Sequence, residues 1–92
     1  PFQIKRLDID KEHIEFIDTL SADVRFEDEI FYINHPGLNI MVWGDDRQEA
    51  ESAFLFALKS SLKNIYYADN KDLTSKAIKI KKMFNSMIKS ST

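Results

Sequence analysis

Ninety-two residues, 43% hydrophobic and 30% charged, make enough chain for one hydrophobic core and too little for two. With only two glycines and two prolines, the composition excludes an intrinsically disordered segment, which would combine few large apolar groups with high net charge. There is no cysteine, so a disulfide framework, the usual support of a small secreted domain, is excluded as well.

No apolar run approaches the roughly 20 residues that span a bilayer. The opening PFQIKRLDID has neither the apolar stretch nor the cleavage site of a secretory signal. These features point to a cytoplasmic protein without membrane association. The formal net charge is −2 but unevenly spread: residues 1–51 hold thirteen acids against five bases, and residues 71–92 hold six lysines against Asp72. Such polarity suits a basic partner at one end and an anionic one at the other, or an ordinary solvated surface at both.

In chain order, alternation at Phe2-Gln3-Ile4-Lys5 and at Ile14-Glu15-Phe16 predicts strands, or an irregular hairpin, over residues 2–9 and 13–18. Three further strands, 22–27, 30–34 and 38–43, form a predicted meander. Glu27-Asp28-Glu29 supplies the first turn and Pro36-Gly37 the second. The last two of these strands are apolar on both faces: Ile40 and Val42 oppose Met41 and Trp43, and Ile30 and Tyr32 oppose Phe31 and Ile33. A sheet with one wet face would alternate with polar residues, so both faces are expected to be covered, by this chain or by another.

Asp46 followed by Glu49 is a capping-box-like helix start. From there Ala50, Ala53, Phe54, Ala57, Leu58, Ser61, Leu62 and Ile65 keep helical spacing through five turns, which predicts a helix over about 46–67. Phe56 and Tyr67 fall side by side on the back of that stripe. Either the second helix or the N-terminal arm covers them, or they form a partner-binding patch. A polar break at residues 69–72 precedes Thr74, a good N-cap, with Leu73 and Ile78 placed as a hydrophobic staple. Ala77, Ile80, Phe84, Met87 and Ile88 then form the buried stripe of a second helix, whose other faces are crowded with lysine, and Ser90-Ser91-Thr92 is expected to fray. The whole reads as a single α+β domain over residues 1–92: an antiparallel sheet of three to four strands, a long amphipathic helix on one face and a second, C-terminal helix.

Catalytic chemistry has little to work with. There is no Cys nucleophile, no G-x-S-x-G, no Gly-rich phosphate loop and no H-E-x-x-H. His35 sits in a turn, where histidines are mostly solvated or capping. His13 lies between Glu12 and Glu15, a set that suggests a divalent metal, but strand spacing sends residues 12 and 13 to opposite faces. The acids Asp8, Asp10, Glu12, Glu15 and Asp18 recur along one hairpin as a wet edge would, without the convergence that two-metal hydrolysis needs. No enzyme activity, metal or other cofactor is expected. Nucleic acid is an unfavoured partner: Lys71 to Lys89 provide charge, yet the aromatic among them, Phe84, belongs to the buried stripe.

The run from His35 to Ala50 (HPGLNIMVWGDDRQEA), carried by Gly44, Asp45, Glu49 and Ala50, resembles the signature stretch of HicB-type antitoxins, and the likeness spans about residues 22–66. The resemblance implies a truncated ribonuclease-H-like β-β-β-α unit without nuclease activity, which neutralises a small basic RNA-cleaving toxin by covering its active site. Members of that family often add a C-terminal helix-turn-helix or ribbon-helix-helix that binds promoter DNA. Residues 71–92 supply only a single helix, so operator binding is not implied.

The expected function is therefore that of a protein-interaction domain, an antitoxin-like inhibitor. The alternative is a non-catalytic adaptor, or a self-associating structural domain with a non-toxin partner. The candidate contact residues are Met41, Trp43 and Phe31 on the sheet, and Phe56 and Tyr67 on the helix back. Trp43 is either a core ring or an interface anchor. A homodimer is the simplest way to dry a second apolar sheet face.

Overall fold

The structure, a computed structural model, describes residues 1–91. Its elements follow one another as β1 (Phe2–Ile9), β2 (Glu12–Glu27), β3 (Ile30–His35), β4 (Ile40–Gly44), α1 (Arg47–Ser61), α2 (Ser75–Met87) and β5 (Ile88–Ser91). The fold is α+β, as the periodicities predict. Every strand pairing is antiparallel, in the order β1-β2-β3-β4, with β5 added alongside β2.

The two strands predicted at 13–18 and 22–27 are one strand of 16 residues. Ile14, Phe16, Leu20 and Ala22 are buried on its inner face at even spacing, but the ladder to β1 slips midway. Ile4 faces Leu20 while Arg6 already faces Glu15, so residues 16–19 are extra opposite Lys5: Phe16 stays buried and residues 17–19 are exposed. The carbonyls that a bulge turns off the ladder need other donors. Lys5 Nζ supplies them, donating to the Phe16 oxygen at 2.6 Å and the Ile17 oxygen at 2.7 Å. Asp18 and Thr19, exposed by the bulge, give the sequence its loop-like gap.

Between β2 and β3 lies a two-residue turn, with Asp28 at φ 52° and Glu29 at φ 64°. Both values are left-handed, the signature of a type I′ hairpin turn. The β3–β4 connection is a 3₁₀ turn over Pro36–Leu38, closed by Asn39 at φ 56°. The described tail is not frayed: Ser90 and Ser91 belong to β5, whose Ile88 faces Phe16 and whose Ser91 faces Ile14. Ile14 and Glu15 pair with β1 as well, so β5 must lie on the opposite side of β2. Thr92 lies outside the described residues.

Asp46 caps α1 as its type and spacing predict, its Oδ1 accepting the Glu49 N–H at 2.8 Å. Thr74 caps α2 likewise, accepting from the Ala77 N–H at 3.1 Å. One core joins the sheet to both helices: Phe54, Leu58 and Leu62 from the first, Phe84 from the second, and Ile14, Phe16, Leu20 and Ile33 from the strands. The helix predicted to run to residue 67 changes character at its end. Residues Leu62–Tyr66 form a π turn, in which the Tyr67 N–H donates five residues back to the Leu62 oxygen at 3.1 Å.

Two consequences are measurable by denaturant unfolding. Phe54→Ala, emptying a fully buried site, should cost roughly 3–5 kcal/mol, whereas Phe56→Ala, at a ring 76% exposed, should stay within about 0.5 kcal/mol. Gly44→Ala would place a Cβ 2.5 Å from the Ala50 backbone nitrogen, and should destabilise by roughly 1–3 kcal/mol as overpacked sites do.

Candidate partner-binding surface

The ladder registers settle which side chains share a face. Ile33 faces Val24 on one side and Val42 on the other, and Phe31 faces Phe26 and Gly44. These residues share the face on which α1 packs, where Val24, Phe31, Ile33 and Val42 join the core while Phe26 stays 60% exposed. The opposite face carries two rows: Arg25, Tyr32 and Trp43 in one, and Asp23, Asn34 and Met41 in the next. No helix of the described chain covers this second face. Trp43 is 61% exposed and Met41 55%, so Trp43 is not a core ring. The Arg25 guanidinium stands 5.1 Å from the centre of the Tyr32 ring, a cation–π distance. Its Nε also lies 3.1 Å from Glu27 Oε2. Beside the rows lies a depression of about 620 Å³ reached by Pro1, Ser21, Asp23, Arg25, Tyr32, Asn34 and Met41.

Of the five candidate residues, Met41 and Trp43 therefore lie together on the bare face. Phe31 does not; it points to the other side, with its ring centre 4.6 Å from that of Phe26. Tyr32 takes the place that Phe31 was expected to fill. Alternation within β3 distinguishes two sets of residues, but only the register across the Pro36–Leu38 turn tells which set joins Trp43.

Phe56 and Tyr67 are both exposed and do not form one patch. Eleven residues of uninterrupted α-helix would align them, but the wider π turn rotates Tyr67 away by roughly a quarter turn. Tyr67 instead lies close to Tyr66, Glu12 and Ser91, whereas Phe56 borders an apolar groove of about 440 Å³ with Leu38, Ile40, Met41 and Ile80.

The imidazoles have local partners. His13 Nδ1 lies 2.7 Å from Asp8 Oδ1 in a cross-strand pair, with both side chains largely exposed. Among the described residues no group of three or more His, Cys, Asp or Glu is placed to hold a metal ion. On α2, Lys76, Lys79 and Lys82 point to solvent, while Lys81 turns back to donate to the Ala68 carbonyl. Among the described residues no helix is long and apolar enough to cross a membrane. No protein-family model, curated protein or solved structure matches the chain.

His35 closes the turn that sets the register of the bare face. Its Nδ1 accepts the Leu38 N–H at 3.2 Å, which requires a ring unprotonated at that nitrogen. Burial lowers its pKa below the ordinary 6.5, outweighing a backbone hydrogen bond and the charge of Asp23, which both raise it. The unfolded chain therefore binds the proton more readily than the folded one, and the stability His35 confers is present above about pH 6.5 and lost as pH falls below it. His35→Asn, which keeps an acceptor but cannot titrate, should flatten the fall in melting temperature between about pH 7.5 and 5.5 relative to the unmutated protein.

Proposed function

We propose that this chain is a non-catalytic protein-binding module that engages its partner through the bare face of β2, β3 and β4. The observation that carries this reading is the uncovered row Arg25–Tyr32–Trp43. Tryptophan, tyrosine and arginine are the residue types most enriched among interface hot spots, and here they are adjacent on rigid strands. Apolar groups left bare on a covered-core domain are what a docking surface requires.

The partner we favour is a small basic RNA-cleaving protein, held in the manner of a HicB-type antitoxin. In support, β2–β3–β4–α1 has the β-β-β-α order of that family's domain. The resembling motif also has a structural role, because Gly44 and Ala50 meet where the sheet hands over to the helix. The excess of acids in residues 1–51 suits a basic partner, since complementary potential speeds encounter and fixes orientation. An adaptor with a different partner is favoured by one feature alone, the β1 hairpin and β5 added beside the β-β-β-α unit.

Co-expression with a short basic RNA-cleaving protein, sought first among the products of neighbouring genes, tests the reading directly. The chain should suppress that protein's cleavage of RNA. Trp43→Ala and Tyr32→Ala should each weaken the complex by roughly 30-fold, the 2 kcal/mol scale of a hot spot, while circular dichroism stays unchanged. Full inhibition by both variants would rule out this face, and RNA cleavage unaffected by the intact chain would rule out the toxin partner.

A further inference from the structure

A second feature of β4 is independent of its side chains. The Asp28-Glu29 turn closes on the pair Glu27–Ile30, and in a two-residue I′ hairpin that closing pair exchanges both of its hydrogen bonds. Hydrogen-bonded pairs then recur at Arg25–Tyr32 and Asp23–Asn34, so β3 turns the backbone groups of Phe31, Ile33 and His35 toward β4. Gly44, Val42 and Ile40 receive them. The N–H and C=O groups of Met41 and Trp43 are left pointing away from the sheet along an open edge. Natural edges are usually guarded by a charge, a proline, a bulge or a covering segment. Residues 40–44, Ile-Met-Val-Trp-Gly, contain no charge and no proline, and their ladder to β3 has no bulge.

We propose that β4 pairs antiparallel with β4 of a second copy of this chain, about a two-fold axis through Val42, to make one continuous sheet. The register follows by elimination. Only residues 41 and 43 offer outward groups, and a two-fold strand pair that uses both must place Met41 of each copy opposite Trp43 of the other. Centring the axis on Met41 would draw in Asn39, whose φ of 56° is not extended, and centring it on Trp43 would draw in Asp45, beyond the strand.

The occupant is a second copy because the edge is complementary to itself. Each thioether meets an indole across the strands, a favourable sulfur–aromatic contact, and Asp45 falls opposite Asn39 rather than another acid. At the level of the axis, α1 presents Ala53, which borders the same edge groove as Met41, Val42 and Trp43. That small side chain lets the two helices approach, and Phe56 lies one turn further along. At roughly 200 Å² per large side chain, the exposed parts of Met41, Trp43 and Phe56 amount to up to about 800 Å² over two copies. With the strand backbones and flanks, that comes within reach of the roughly 1,200 Å² at which specific interfaces begin. The pairing rests on the β4 backbone and not on the partner-capture reading, so the two can fail separately.

Sedimentation equilibrium of the full chain, with three variants, tests this. The unmutated chain should dimerise. Met41→Pro removes one outward N–H that the monomer does not use, and should raise the dimer dissociation constant at least about 10-fold without loss of circular dichroism. Trp43→Lys, the charge that protected edges carry, is the substitute if the proline variant unfolds. Because the chain has no cysteine, Val42→Cys supplies a single thiol on the axis, at a non-hydrogen-bonded pair whose Cα atoms lie about 4.5 Å apart. Mild oxidation should link it to a disulfide dimer, while Ser52→Cys, on the exposed side of α1, should remain unlinked. A chain that stays monomeric to about 1 mM overturns the proposal. So does a dimer indifferent to the edge variants, and so does a dimer in which Val42→Cys fails to link.

Discussion

The contact on which the rest of the molecule depends is the meeting of Gly44 with the first turn of α1. A Cβ at that glycine would sit 2.5 Å from the Ala50 nitrogen and 3.0 Å from the Glu49 carbonyl carbon, so only a hydrogen fits. Ala50 is itself fully buried, and Asp46 holds the turn in place by accepting the Glu49 N–H. The chain thus reverses from strand to helix within two residues, and α1 is brought down directly over β4. From that position Phe54, Leu58 and Leu62 reach the inner face of the sheet. The choice of face is made at this one place, and the other face of β4, with Trp43 and Met41, is left bare as a direct result.

The remainder of the core is organised by β2, which serves different neighbours along its length. Its first half lies between β1 and β5, and its last five residues pair with β3. A strand so long would accumulate twist; the bulge at residues 16–19 lets its two halves change direction while Phe16 and Leu20 stay buried. Lys5 is the residue that makes the bulge tolerable, because a lysine ammonium can serve two diverging carbonyls at once. The acids of this half stay at the surface, where Asp8 meets His13 and Asp10 meets Lys63 at 3.1 Å. Their worth is electrostatic bias more than stability, since exposed pairs contribute little.

Much of the fold was legible from local chemistry. The caps at Asp46 and Thr74, the stripe from Ala50 to Leu62, and the turn at Asp28-Glu29 all follow from residue type and spacing, and each is where its pattern placed it. What was not legible depends on contacts distant in sequence. Nothing in Asp18-Thr19 reveals that Lys5 waits opposite to accept a bulge, so β2 read as two strands. Nothing in Ile88-Lys89-Ser90-Ser91 reveals an open edge at Ile14–Phe16, so a strand read as a frayed end. The bare surface was half legible. Alternation put Met41 beside Trp43, but whether Phe31 or Tyr32 joins them is decided by the turn at Pro36–Leu38, held by a histidine acceptor. The π turn that separates Tyr67 from Phe56 left no sequence signal we recognise.

The position of β5 also constrains the order in which the molecule can be made. Its partners, Ile14 to Phe16, leave the ribosome well before Ile88 to Ser91, with β3, β4, α1 and α2 made in between. During synthesis the early strand therefore waits with one edge unpaired beside Phe16, while β3, β4 and α1 form from neighbours in sequence. Contacts of such long separation form late and slowly, because the loop entropy must be met before they contribute. Until β5 arrives, the Ile14–Phe16 edge of β2 stays open in addition to the outer edges of β1 and β4, and open edges invite wrong pairing.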